Sequence, residues 1–115
     1  MTTTLEDRQL DSLFTALSDP TRRDIVARLG AGEATVKELA EPYAMSLQAV
    51  SQHIRVLERS GLISQGRHRQ TRPCRLEPAA LEAALSWIEE SRRAWSERMD
   101  RMETHLGRLQ DGENQ

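Results

Sequence analysis

Aromatic residues and cysteine are scarce in this sequence, and long apolar runs are missing. Its 115 residues include two tryptophans, one tyrosine and one phenylalanine, and 37% of the chain is hydrophobic. This composition predicts a small aliphatic core in a chain of single-domain size. No apolar run approaches the ~20 residues that a bilayer span requires, and residues 1–9 lack the apolar stretch of a secretory signal. We therefore expect a soluble cytoplasmic protein with no membrane partner.

The single cysteine, Cys74, excludes an intramolecular disulfide framework and a metal site made of cysteines alone. A nucleophile–base pair is also missing. Ser51 and His53 lie two residues apart on a predicted helix, so they point roughly 200° from one another. No glycine-rich loop of the nucleotide-binding type is present. We therefore expect neither an enzyme nor a bound cofactor.

The net charge of −2 conceals three blocks of alternating sign. Residues 1–45 carry five basic and eight acidic side chains, and residues 77–115 carry five basic and nine acidic ones. Between them, residues 46–76 carry six arginines and only one acidic residue, Glu58. A cationic block between two anionic blocks indicates a local site for a polyanion, although a solvated arginine-rich hairpin would have the same composition.

Capping signals and apolar spacing predict three helices in the first 45 residues. Asp19 and Pro20 have the cap and first-turn residue types of the second helix, which ends at Gly30. Thr35 and Glu38 form the capping-box pattern that begins a short third helix. The first helix precedes both, and its apolar face comprises Leu10, Leu13, Phe14 and Leu17.

A longer helix is predicted next, with Ser46 as its cap and Gly61 as its left-handed terminator. Residues 62–65 and 71–76 have the pattern of short strands, and the polar, basic residues 66–70 form the tip of the hairpin between them. The buried stripe of the helix is predicted to be Leu47, Val50, Ile54 and Leu57.

Pro78 is predicted to open the last helix, which covers about residues 79–110 and is followed by a disordered tail at 111–115. Its apolar residues alternate spacings of four and three over about four heptads, with Arg92 as the one polar member. The whole chain up to residue 110 is expected to be one domain. This heptad seam comprises Leu81, Leu85, Ile88, Arg92, Trp95, Met99, Met102, Leu106 and Leu109.

The order of these elements predicts a winged helix-turn-helix fold, mainly α with a small β-hairpin wing. A short helix, a tight turn and a second helix precede a basic hairpin, and the major groove of DNA accepts one α-helix. On the helix after the turn, Gln48, Gln52 and Arg55 project away from the apolar stripe. Glutamine amides can pair with adenine through two hydrogen bonds. A solvated helix surface is the alternative for this face, and the basic wing beside it favours DNA.

Three segments resemble the ArsR/SmtB family of bacterial repressors. They are residues 14–23 (FTALSDPTRR), residues 36–40 (VKELA) and residues 46–57 (SLQAVSQHIRVL), the last followed by glycine, leucine and isoleucine at 61–63. The resemblance runs from about Phe14 to Leu76, more than half of the chain. It implies a homodimer built from the first and last helices, operator binding by the helix after the turn, and repression by occlusion of the promoter.

The expected function is that of a sequence-specific transcriptional regulator, a repressor whose partners are double-stranded DNA with an inverted-repeat operator and a second copy of the chain. The resemblance also suggests that Arg22 or Arg23 anchors the DNA backbone or the helix packing, with an internal ion pair to Asp19, Asp24 or a neighbouring glutamate as the alternative. The predicted DNA-binding residues are Ser46, Gln48, Ala49, Ser51, Gln52, His53, Arg55, Arg67, His68, Arg69, Gln70 and Arg72. The predicted dimer interface comprises Leu10, Leu13, Phe14, Leu85, Ile88, Arg92, Trp95, Met99, Met102 and Leu106.

Metal sensing, which better-known members of this family perform, is not expected here. The family's thiolate motif corresponds to the residues just before Glu38, where Thr35 and Lys37 are poor ligands for a soft metal. A second family site uses histidine and acidic residues of the last helix, where His105 is the only histidine. The chain thus resembles the metal-independent members, and we predict no metal; the sequence identifies no small-molecule effector.

Two alternatives stay open. The heptad helix could belong to a protein-interaction module whose partner is a helix of another protein. Cys74, which lies in the predicted wing, could make a repressor redox-responsive by forming an intersubunit disulfide or a mixed disulfide with a small thiol.

Overall fold

The computed structural model describes residues 5–66 and 72–113 and is mainly helical with one small antiparallel hairpin. By its internal contacts the chain divides into two compact units, residues 1–84 and residues 85–115. The elements in chain order are α1 (Leu5–Ala16), α2 (Pro20–Leu29), α3 (Val36–Ala40), α4 (Leu47–Arg59), β1 (Ile63–Gln65), β2 (Cys74–Leu76) and α5 (Pro78–Glu113).

The predicted helix caps are all present. The Asp19 carboxylate accepts a hydrogen bond from the Arg22 backbone amide at 3.0 Å, directly before Pro20. Thr35 and Glu38 satisfy each other's backbone amides in a capping box. The Ser46 hydroxyl oxygen accepts from the Ala49 amide at 3.1 Å. Since each cap satisfies amides that the first turn leaves without a partner, the starts of these helices are fixed by local sequence.

The core of the first unit is aliphatic, as the composition predicted, and α4 supplies its centre. Gly61 follows α4 with φ 85°, the left-handed conformation predicted for a terminator. Leu13 is fully buried in this core, so it stabilises the protomer, and its place in the predicted dimer interface is wrong. The buried apolar residues are Leu13, Ala16, Ile25, Leu29, Leu39, Val50, Ile54, Leu57, Leu62, Ile63, Cys74, Ala80 and Ala84.

The hairpin pairs β1 with β2 in the register Ile63–Leu76, Ser64–Arg75 and Gln65–Cys74. A third segment, which the sequence did not reveal, pairs with its other edge. Ala34 donates to the Cys74 carbonyl at 3.1 Å and accepts from the Cys74 amide at 2.7 Å. The base of the wing is therefore held on both sides of β2.

Helix α5 continues to Glu113, so the predicted disorder of residues 111–113 is wrong, and residues 114–115 lie outside the described residues. Gly107 lies inside this helix. One glycine costs a helix about 1 kcal/mol relative to alanine, which leaves a helix of 36 residues intact. The large apolar side chains of the second unit are between 37% and 62% exposed; they are Leu85, Trp87, Ile88, Trp95, Met99, Met102, Leu106 and Leu109.

Candidate nucleic-acid interface

Helix α4 is held by one apolar face and presents a polar face to solvent. Val50, Ile54 and Leu57 are buried, and the helix packs against α1, α2, α3 and β1. These surrounding elements fix the helix on its inner side, so the side chains on its outer side occupy defined positions. That arrangement is the one required of a helix that reads the major groove.

The sequence-predicted residues of α4 lie together on or beside this outer face. Ser46, Gln48, Gln52 and Arg55 are exposed, and Ala49, Ser51 and His53 are partly exposed. An open concavity of about 360 Å³ is lined by Leu47, Gln48, Ser51, Gln52 and Arg55. The outer face therefore combines amide, hydroxyl and guanidinium groups, which can bind base edges and phosphates.

The prediction that Leu47 belongs to the buried stripe of α4 is wrong. The spacing assigned it to the buried face with Val50 and Ile54, but its side chain is 50% exposed and lines the concavity. The reason is its place in the first turn of α4, where the helix extends past the core that covers the following turns. The apolar period alone does not show where along a helix the covering elements end.

Gln52 and Arg55 form a pair on this face. The Arg55 guanidinium donates to the Gln52 amide oxygen at 3.2 Å. This bond orients the side-chain amide, and the oxygen keeps a second lone pair for another donor. The amide NH₂ group can therefore still donate to a base, and the positive charge of Arg55 lies within one turn of it.

His53 is tied to the end of α1 through an arginine of α2. Its Nδ1 lies 3.2 Å from Arg22 Nη1 and 3.8 Å from a carboxylate oxygen of Asp19. The Arg22 guanidinium also donates to the carbonyls of Ala16 at 2.7 Å and Thr15 at 3.1 Å, which lie in the last turn of α1. Of the roles left open for Arg22, these contacts correspond to helix packing.

The same cluster perturbs one carboxyl group. The hydrogen bond from the Arg22 backbone amide lowers the pKa of Asp19, and the positive charge of Arg22 acts in the same direction. Arg23 makes a simpler contact and donates only to the Leu17 carbonyl among its described bonds, at 2.8 Å. Both arginines therefore cap the carboxyl end of α1, where carbonyls lack partners within the helix.

A second arginine brace, which the sequence did not reveal, fixes α3 before the turn. Arg28 of α2 donates to the Leu39 carbonyl at 2.8 Å and to the Glu38 carbonyl at 3.1 Å. Its guanidinium lies 5.4 Å from the centre of the Tyr43 ring, close enough for a cation–π contact. The Tyr43 hydroxyl donates to Asp24, and burial raises the pKa of that hydroxyl. The turn between α3 and α4 is thereby attached to α2.

The described part of the wing contains one exposed predicted residue, Arg72. Arg67, His68, Arg69 and Gln70 lie outside the described residues. The remaining arginine of the hairpin, Arg75, faces carboxylates instead, with Glu77 at 3.7 Å and Glu33 at 4.0 Å.

Cys74 is fully buried between the two edges of the small sheet. Burial, with the charge of Glu58 as a smaller cause, raises its pKa to about 11. A thiol is nucleophilic as its thiolate, so this side chain has the properties of a packing residue and not of a redox sensor.

Within residues 5–66 and 72–113, no group of three or more His, Cys, Asp or Glu side chains is arranged to hold a metal ion. Over the same part of the chain, every helix is too short or too polar to cross a bilayer.

The helix order, the braced turn, the exposed polar face of α4 and the hairpin after it define a winged helix-turn-helix protein of the DNA-binding regulator class. Comparison with known proteins places the chain within that class. A family model described as a helix-turn-helix domain matches residues 17–65. The transcriptional repressor SdpR of Bacillus subtilis is 32% identical over 79 residues, which cover 69% of this chain and 88% of SdpR.

Solved structures agree with this result. The crystal structure of an ArsR family transcriptional regulator matches with 40% identity and a TM-score of 0.73, over 77% of this chain and 92% of that one. A homodimeric winged helix-turn-helix DNA-binding domain from Mycobacterium bovis matches with 25% identity and a TM-score of 0.60, over 76% of this chain and 82% of that one. The chain belongs to the ArsR family of transcriptional regulators, which is not an enzyme family.

Proposed function

We propose that this regulator is a metal-independent repressor that binds an inverted-repeat operator as a homodimer in the bacterial cytoplasm. The observation that carries the proposal is the outer face of α4, where Gln48 and Gln52 are exposed one turn apart on a helix whose other side is buried. The name of the related B. subtilis protein, a transcriptional repressor, supports repression as the outcome.

The chemistry of these side chains indicates which of them bind bases and which bind phosphates. Gln48 and Gln52 read base edges, because a side-chain amide can donate to and accept from adenine at the same time. Ser46, Ser51 and Arg55 bind phosphates or the rim of the groove, together with the arginines of the wing. His53 lies at the edge of this face, where Arg22 fixes its ring.

The dimer is supported by the second unit. Large apolar side chains lie along α5 at heptad spacing with about half of their surface in solvent, and such a seam is stabilised by a second helix. The M. bovis domain that this chain resembles is homodimeric. In α1, Leu10 and Phe14 are partly buried and complete the proposed interface, without Leu13. Arg92, the polar seam member, pairs with Glu89 of its own helix at 3.2 Å.

Two-fold symmetry then determines the operator. Two copies of α4 that enter successive major grooves on one face of the duplex are roughly 34 Å apart, so the half-sites form an inverted repeat. Selection of bound duplexes from a random pool, with and without zinc, tests both the symmetry and the independence from metal. An operator without two-fold symmetry, or binding that changes with zinc, would contradict the proposal.

The base-reading role is tested by Gln52→Ala. We expect a loss of about 1–3 kcal/mol on the selected operator and a smaller loss on other duplexes, because a base contact is removed while phosphate contacts stay. Arg69→Ala provides the contrast: binding to all duplexes should weaken similarly, and the salt dependence should fall by about one unit per subunit. Equal effects of Gln52→Ala on all duplexes would show that this face does not read sequence.

The dimer is tested by Met99→Asp, which places a charge in the seam. We expect the variant to sediment as a monomer at concentrations where the wild type is a dimer, because a buried unpaired charge opposes association. Thr104→Asp is the matched control, since Thr104 is exposed on α5 outside the heptad seam, and this variant should leave the dimer intact. If Met99→Asp still sedimented as a dimer, the seam would not be part of the dimer interface.

A further inference from the structure

Leu47 is an aliphatic side chain in a place where the other groups are polar. It is the first residue of α4, directly after the Ser46 cap, and half of its surface is in solvent. An exposed leucine is ordinary when it stands alone on a protein surface. Leu47 differs because it lines the same concavity as Gln48, Ser51 and Gln52.

This position is the part of a recognition helix that comes nearest to the bases. In helix-turn-helix proteins the amino-terminal residues of the second helix contact base edges. The cap bond from the Ala49 amide to the Ser46 hydroxyl fixes the first turn, so the backbone at Leu47 is held in place. The burial of Val50 and Ile54 fixes the rotation of the helix about its axis.

The floor of the major groove offers few partners for an aliphatic side chain. Its base edges carry hydrogen-bond donors and acceptors, and the 5-methyl group of thymine is the apolar feature. A leucine side chain has no polar atom with which to replace the water that it removes from a donor or acceptor, so a contact with those groups is unfavourable. A contact with a methyl group buries apolar surface on both sides.

We propose that Leu47 reads the 5-methyl group of a thymine in each operator half-site, next to the base pairs read by Gln48 and Gln52. This inference rests on the proposed function, since it assigns part of the sequence preference of the α4 face to one apolar contact. It adds a discriminating residue of a different chemistry from the glutamines: Leu47 distinguishes bases by a methyl group and not by hydrogen bonds.

The test replaces the methyl group and leaves the hydrogen-bond pattern unchanged. In the duplex selected from the random pool, each dT is changed in turn to dU, and binding by the full-length protein is measured at one salt concentration. At one position per half-site, loss of the methyl group should weaken wild-type binding about fourfold, and about fifteenfold when both half-sites are changed. Because only the DNA is changed, a loss of affinity in this test cannot result from misfolding of the protein.

Two variants separate the contact from effects of uracil on the duplex itself. Leu47→Ala should bind the dT and dU duplexes equally, because it lacks the side chain that contacts the methyl group. Gln52→Ala is the control on the same face, and it should keep the difference between dT and dU while losing preference at another base pair.

The outcomes are distinct. If wild type and Leu47→Ala lose the same affinity on every dT to dU change, or if the selected half-site contains no required thymine, the inference is wrong and the proposed operator binding stands. If wild type selects no duplex from the pool, the proposed function fails and the inference fails with it. A dU effect confined to one thymine per half-site and absent in Leu47→Ala would support it.

Discussion

Arg22 joins three helices, and its replacement by alanine is expected to be the most damaging change among the exposed and partly exposed arginines of α2. The guanidinium donates to the carbonyls of Ala16 and Thr15 at the end of α1 and lies against His53 of α4. Arg22→Ala removes all three contacts at once. It leaves the Asp19 cap in place, because that bond comes from the backbone amide of residue 22.

The magnitude follows from these contacts. A hydrogen bond of this kind contributes about 1 kcal/mol net, and an acceptor left without a partner in a buried place costs more. Ala16 is fully buried and Arg22 is partly buried, so solvent replaces these bonds incompletely. We expect a loss of about 2–3 kcal/mol in the free energy of unfolding, which is large beside the 5–15 kcal/mol of a typical domain.

Urea unfolding followed by circular dichroism measures this loss, with all variants at one protein concentration because dimer formation makes the midpoint depend on it. Arg23→Ala is the matched control: Arg23 is exposed and donates to the Leu17 carbonyl at 2.8 Å, so its loss should be about 0.5 kcal/mol. Should the two variants unfold within about 0.5 kcal/mol of one another, the role assigned to Arg22 as a brace between helices would be refuted.

Two further predictions concern titrating groups. Cys74 is buried and its pKa is raised to about 11, so less than about 1% of the thiol in the native protein is ionised at pH 8. Iodoacetamide at this pH should therefore label the native protein hundreds of times more slowly than the guanidinium-unfolded protein. Equal labelling rates, measured by mass spectrometry, would restore the redox alternative. The hydrogen bond from the Arg22 backbone amide lowers the folded-state pKa of Asp19 below its ordinary value. The ionised carboxylate therefore stabilises the protein above the unfolded-state pKa, and this contribution is lost as the pH falls through the folded-state pKa. Asp19→Asn keeps a capping side chain but lacks the charge. It should be less stable than wild type at pH 7, and this difference should shrink towards pH 3. A difference in the free energy of unfolding that does not change with pH would contradict the charge effect.

Features determined by neighbours in the chain were predicted well. The helix caps are the clearest case, because each capping side chain reaches an amide three residues away, a contact that local backbone geometry ensures. These caps are Asp19, Thr35 and Ser46. Gly61 takes a positive φ for the same kind of local reason. The helical period also predicted the polar face of α4, and Gln48 and Gln52 are exposed as expected.

The errors involve contacts between distant segments. The helical period marks a face of α1 as apolar, but it does not say whether Leu13 is covered by its own protomer or by another. The braces made by Arg22 and Arg28, and the pairing of Ala34 with Cys74, join residues between six and forty positions apart and have no signature in spacing. Arg75 looked like part of the cationic block, and its pairing with Glu33 became visible only in three dimensions.

The amino-acid order was therefore enough to establish the class of fold, the start of each capped helix and the exposed polar face of the helix proposed to meet DNA, because periodicity and capping act over a few residues. Packing settled which apolar side chains are available for contacts with a partner: it buried Leu13 and Cys74 and left Leu47 half-exposed on the face proposed to bind DNA. The physical reason is that burial depends on which segments cover a residue, and that is a property of the assembled chain rather than of any short stretch of it.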